Sequence, residues 1–112
     1  MKKNTYFCDI DGTIFKYRKF ESMLEEKAEL VHSVAEQLAT WHKGGHHIVL
    51  TTARPEDLRD HTISELSDHN IKYHQLVMGI GRGTRYVIND IDPEKQSDRA
   101  FGINLIRDKG FK

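Results

Sequence analysis

The stretch YFCDIDGTIF, residues 6–15, decides how this chain is read. An apolar run stops abruptly at Asp9 and Asp11, and the chain then turns on Gly12 and Thr13. A nearly unbroken apolar run is what a strand buried on both faces of a parallel sheet requires, so residues 5–10 read as such a strand. Residues two apart in a strand face the same side, which projects both carboxylates together. Gly12 lets the backbone turn close to a bound group. Asp-Gly is also a common turn, so the pair has a plainer reading when taken alone.

Working outward, residues 23–43 predict a helix, with Leu24, Ala28, Val31, Val34, Ala35, Leu38 and Trp41 stepping along one face. Gly44-Gly45 ends it. Residues 47–52 predict a second strand ending in Thr51-Thr52-Ala53-Arg54. Pro55 then opens a second helix that runs to about His69. Residues 73–78 read as a third strand, 79–83 as a flexible glycine-rich loop, and 85–90 (RYVIND) as a fourth strand. Residues 97–106 read as a helix leading into a short fifth strand. Strands separated by helical crossovers indicate an α/β, Rossmann-like three-layer sandwich with a mainly parallel sheet of four or five strands. No repeat or linker divides it, so residues 1–112 are read as a single domain.

Composition narrows the function. With 17 basic and 17 acidic residues the net charge is zero, which is no signature of a dedicated nucleic-acid or membrane binder. The single cysteine, Cys8, lies inside the first apolar run and reads as a structural thiol. The residues before the first strand are too few for a signal peptide or a membrane span, so a soluble cytoplasmic protein is expected.

In parallel sheets, ligands bind beyond the carboxyl ends of the strands. The first strand ends in Asp9 and Asp11, the second in Thr52, and the fourth in Asn89, Asp90 and Asp92, so these sets are expected to converge on one rim. Two like charges about 4 Å apart cost roughly 4 kcal/mol at an effective dielectric near 20, and something cationic must offset that. Carboxylate, carbonyl and water ligands suit a hard divalent ion, Mg2+ above all. The seven histidines are scattered and read as surface or structural groups. An aspartate can attack phosphorus to form an acyl-phosphate. A second, two residues on, can protonate the leaving alkoxide and later activate water.

Asp9-Ile10-Asp11-Gly12-Thr13 resembles the first motif of the haloacid dehalogenase superfamily, which consists mostly of Mg2+-dependent phosphatases. Leu50-Thr51-Thr52-Ala53-Arg54-Pro55 is similar to its second motif, and Val87-Ile88-Asn89-Asp90-Ile91-Asp92 to its fourth. The resemblance implies Asp9 as nucleophile and Asp11 as general acid/base. It implies a metal held by the Asp9 carboxylate, the Asp11 carbonyl and the Asp90 carboxylate, with Asp92 or Asn89 assisting. Thr52 would hydrogen-bond the phosphoryl oxygens, with Gly12 and Thr13 beside them. The family's third motif is usually a lysine, and none lies between Lys72 and Asp90. Arg82 and Arg85 are the candidates in its place, Arg82 being preferred for its glycine-rich loop. Arg54 either helps bind phosphate or forms a salt bridge at the helix start.

Neither gap between these motifs has room for a cap domain, so the site should be open, covered by a neighbouring subunit or used on a large substrate. The segment 14–20 mixes aromatic and basic residues beside the aspartates, and Lys16 and Tyr17 are candidate substrate contacts. The expected activity is a phosphomonoesterase acting on a small phosphorylated metabolite, a sugar phosphate or nucleotide. A nucleic-acid end phosphatase and a non-catalytic binding relative are the alternatives. A signalling receiver domain is disfavoured, because the third strand ends in Val77-Met78-Gly79 with no acid to phosphorylate.

Overall fold

The computed structural model describes residues 2–111. Three parallel strands form a sheet in the order β1-β2-β3: β1 Thr5–Asp9, β2 His47–Thr51 and β3 Gln75–Val77. Thr5 pairs with His47 and Asp9 with Thr51, while Thr51 pairs with Val77, so the three carboxyl ends share one rim. Helix α1, His32–Lys43, connects β1 to β2; helix α2, Arg59–Asp68, connects β2 to β3. The result is an α/β arrangement consistent with a Rossmann-like fold, with fewer strands than the four or five expected.

The core gathers Ile10, Ile14 and Phe15 after β1, Val34 and Leu38 of α1, Ile48 and Leu50 of β2, and Leu66 of α2. Tyr6 stacks on Trp41 at 3.7 Å, which seats α1 on that face of β1. Phe7, on the opposite face, stays 64% exposed. Cys8 is half-buried, and burial, with Asp9 beside it, pushes its thiol up to about 12, so it carries no thiolate chemistry at neutral pH.

The first helix is shorter than its periodicity predicts, for a tertiary reason. The Lys16 N–H donates to the Glu29 carbonyl at 2.8 Å, and the Val31 N–H to the Ile14 carbonyl at 2.8 Å. These bonds hold residues 29–31 against the segment after β1 and keep them out of the helix. Arg18 then takes the carbonyls of Met23 and Glu26, and Leu24 faces solvent. The second helix likewise begins as a 3-10 turn, Glu56–Leu58, before α2.

The largest correction concerns residues 85–90, which extend away from the sheet unpaired and form no strand. Residues 97–106 form neither the helix nor the fifth strand. The physical reason is the connection. A parallel crossover takes a dozen or more residues, and only residues 79–84 separate β3 from Arg85. From Met78 to Arg85 the chain reaches about 23–25 Å at full stretch. Reaching the far side of β1 in parallel takes about three strand spacings sideways and roughly 17 Å back down the strand, around packed side chains. The segment therefore leaves as an arm, which accounts for the molecule's 52 × 29 × 26 Å proportions. Residues 105–111 return to the body, where Phe111 meets Trp41 edge-on at 6.1 Å. Among the described residues no helix is long and apolar enough to cross a membrane.

Candidate active site

Beyond the shared rim lies a cleft of about 300 Å3, lined among others by Asp9, Asp11, Thr52, Arg54, Arg82 and Arg85. Each arrives there for a local reason. After β1 the backbone closes a tight turn in which the N–H groups of Thr13, Ile14 and Phe15 all reach the Ile10 carbonyl, while the Gly12 N–H reaches that of Phe15. Gly12 sits at φ +87°, a conformation that a side chain resists. A Cβ on it would also come within 3.2 Å of the Arg107 side chain.

Asp9 Oδ2 accepts the Thr13 hydroxyl at 3.1 Å, and Oδ1 lies 3.9 Å from Arg85 Nη2. Burial raises the Asp9 carboxyl above its usual value, and the nearby Asp11 adds to this, while Thr13 and Arg85 pull it back. Thr52 is buried, and its hydroxyl accepts the Arg54 N–H at 3.1 Å.

Of the two readings of Arg54, the structure shows the salt bridge, to Asp11 and to Glu65, and shows it buried. Its side chain is fully buried and grips both oxygens of Asp11, Nε to Oδ2 at 2.9 Å and Nη2 to Oδ1 at 2.8 Å. Its remaining nitrogen, Nη1, donates to Thr62 and to Glu65 of α2. Glu65 in turn receives Arg18 through a second fork at 2.8 and 3.0 Å. A chain of alternating charge, Asp11–Arg54–Glu65–Arg18, thus runs from the cleft into the interior. Held this way, Asp11 presents itself as an acceptor, and donating a proton to a leaving group requires the Arg54 fork to open.

The arginines in the role expected of a lysine both line the cleft, and Arg85 lies nearer to Asp9. Arg82 instead sits over the Phe20 ring at 5.2 Å. Tyr17 lines the cleft, capped by Arg107 at 4.0 Å. Lys16 turns to Glu29 in an exposed pair at 2.7 Å.

The acids of residues 89–92 do not join this rim. Asp90 is exposed and pairs with Arg99 at 3.2 Å, and Asn89 is exposed beside it. Asp92 accepts the Glu94 N–H at 2.9 Å and closes a local turn. The expected convergence therefore fails for these three, because residues 86–91 stay exposed and pair with no strand of the sheet. Among the described residues no group of three or more His, Cys, Asp or Glu is gathered to hold a metal ion. Arg54 holds both carboxylate oxygens of Asp11, so the Asp9 carboxylate and the Asp11 carbonyl are the groups on this rim that could hold Mg2+, an ion commonly bound through one or two carboxylates with water and substrate phosphate.

Several site residues were not foreseen. Glu65 occupies a core-facing position of α2 between buried Thr62 and Leu66, and an acid in that register is a readable sign of a buried partner. Arg107 and Asp108 arrive from the returning segment, where the Asp108 N–H bonds the Gly12 carbonyl and its carboxylate takes the Tyr17 N–H. Nothing in the local sequence announces that docking.

No protein-family model matches this chain, and no curated protein does. Among solved structures it is similar to a chain of the Pnkp1/Rnl/Hen1 complex, at 24% identity and a TM-score of 0.62, over 75% of this chain and 30% of that one. It is also similar to an MCSG target from Vibrio cholerae, at 21% identity and a TM-score of 0.54, over 82% and 85% of the two chains. Both are likenesses of fold. This chain spans under a third of the length of its counterpart in the complex.

Proposed function

We propose that this chain is a Mg2+-dependent phosphomonoesterase that forms an aspartyl-phosphate on Asp9. A small phosphorylated metabolite, a sugar phosphate or nucleotide, is its substrate. The observation that carries this reading is the placement of Asp9. Its carboxylate ends β1 at the mouth of the cleft, oriented by Thr13 and faced by Arg85.

An Asp9 oxygen attacks phosphorus, and the bond from phosphorus to the departing alkoxide breaks. Water then attacks the acyl-phosphate, releasing inorganic phosphate and restoring the carboxylate. Asp11, once the Arg54 fork opens, gives its proton to the departing alkoxide and, left as a carboxylate, takes one back from that water. Arg85, Arg82 and Arg107 bring permanent positive charge to the phosphoryl oxygens. When bound, Mg2+ would add Lewis-acid charge to those oxygens.

A second reading, a nucleic-acid end phosphatase, draws on one specific feature. Arg82 over Phe20 and Arg107 over Tyr17 flank the cleft with aromatic rings and cations, a pairing that can stack bases and hold phosphates.

Phosphate release from sugar phosphates, nucleotides and end-phosphorylated oligonucleotides, with Mg2+ and with chelator, tests both readings. Turnover that requires Mg2+ and is lost in Asp9→Asn is expected, and the best substrate chooses between them. No turnover on any of these substrates would overturn the enzyme reading and leave a non-catalytic relative of the fold.

A further inference from the structure

We propose that residues 86–91 of each chain add, in parallel, to the free outer edge of β1 in a second copy. Two chains thus exchange their arms, and each brings Asp90 to the Asp9–Asp11 rim of the other. Only the role given to Asp90 rests on the phosphatase reading.

Three observations carry the exchange. The arm is apolar where it should be polar: seven of the twelve large hydrophobic residues exposed among the described residues fall between 86 and 106, with Tyr86 at 84% and Ile88 at 94%. Soluble chains seldom leave such a run uncovered without a use for it. Both faces of the segment are apolar, as a strand covered on two sides requires. The acceptor is also present. Strand β1 bonds only to β2 among the described residues, so its other edge displays unpaired backbone groups, with exposed Phe7 beside them. The six-residue connection keeps the arm from its own β1 in this parallel sense, while an arm from another chain carries no such tether. Under the phosphatase reading, the arm also adds Asp90 to the Asp9–Asp11 pair of the other chain.

The occupant is a second copy because donor and acceptor lie on the same chain. Two chains related by a two-fold axis satisfy both edges at once and close the assembly. A net charge of zero sets up no overall repulsion between them. The register is defined by chemistry: Ile88 opposite Phe7 joins two exposed apolar side chains and places Asp90 opposite Asp9, on the same face.

Light scattering on the full chain across a range of concentrations tests the assembly. The expected mass is twice the 13.0 kDa of one chain. Ile88→Glu, at a position that contributes little to the fold of a single chain, should give the single-chain mass with an unchanged far-ultraviolet spectrum. In a Cys8→Ser background, co-expressed chains carrying Phe7→Cys and Ile88→Cys should cross-link to each other on oxidation. A single-chain mass for the wild type overturns the proposal. So does a two-chain mass untouched by Ile88→Glu without that cross-link, or a 7–88 link formed within one chain carrying both substitutions.

Complementation then addresses Asp90. Asp9→Asn and Asp90→Asn chains, each inactive alone, should together recover about a quarter of the wild-type rate, since half the pairs are mixed and each holds one intact site. Doubled mass and cross-linking without turnover in the wild type would count against the phosphatase and leave the exchange standing. Wild-type turnover with no recovery on mixing would count against the shared site.

Discussion

Replacing Glu65 by alanine removes a carboxylate shared by two buried guanidiniums. Arg18 and Arg54 have side chains 4% and 1% exposed, and Glu65 itself is 10% exposed, so solvent screens these contacts little. Removing one partner from a buried ion pair costs about 3–5 kcal/mol, because the charge left behind remains desolvated. Here the lower end applies. Arg54 keeps both oxygens of Asp11, and Arg18 keeps the carbonyls of Met23 and Glu26. A loss of about 3 kcal/mol, with a urea dependence of about 1.5 kcal/mol per molar, lowers the unfolding midpoint by about 2 M. The single tryptophan, Trp41, stacked between Tyr6 and the edge of Phe111, reports the transition by its fluorescence. Activity should fall too, by about 10- to 100-fold, as Arg54 loses an anchor and Asp11 drifts. A stability loss under about 1 kcal/mol, the range of exposed pairs, would refute the idea that this network is a structural keystone.

The same network sets the acid limit of stability. Burial pushes the Glu65 carboxyl up, but the hydrogen bonds from Arg18 and Arg54 outweigh it and hold the group below its usual 4.5. Its contribution is therefore fully present above 4.5 and is lost as pH falls through the lowered value; Glu65→Gln should flatten that limb in urea titrations at stepped pH. Asp9 has the opposite sign, since burial first, and Asp11 after it, raise its carboxyl above 3.8. Ionising it costs stability as pH rises through the raised value, so Asp9→Asn should melt higher than wild type at neutral pH while abolishing turnover, with the gain vanishing below 3.8. Gly110→Ala should lose more than about 2 kcal/mol, as calorimetry would show, because the position holds a positive φ that a side chain resists and the added methyl meets Ser33 and Val31 where Ser33 takes the Phe111 N–H.

The three parallel strands, the helices between them and the meeting of Asp9, Asp11 and Thr52 at one rim were legible along the chain. Those features follow from local apolar periodicity and from residues close to strand ends, and both are written along the chain. It also held a readable sign of the charge network, in an acid on the buried face of α2. The remaining features depend on distance through space. Bonds from the segment after β1 drew residues 29–31 out of the helix that their periodicity favoured. Arg54, equally suited to phosphate or to a salt bridge at the helix start, became a buried clamp because Asp11 and Glu65 lie within reach on opposite sides of it. Residues 85–90 have the composition of a buried strand, yet a connection of six residues cannot carry them to the far edge of their own sheet. Composition states what a segment would bury, whereas the length of its tether decides where it can.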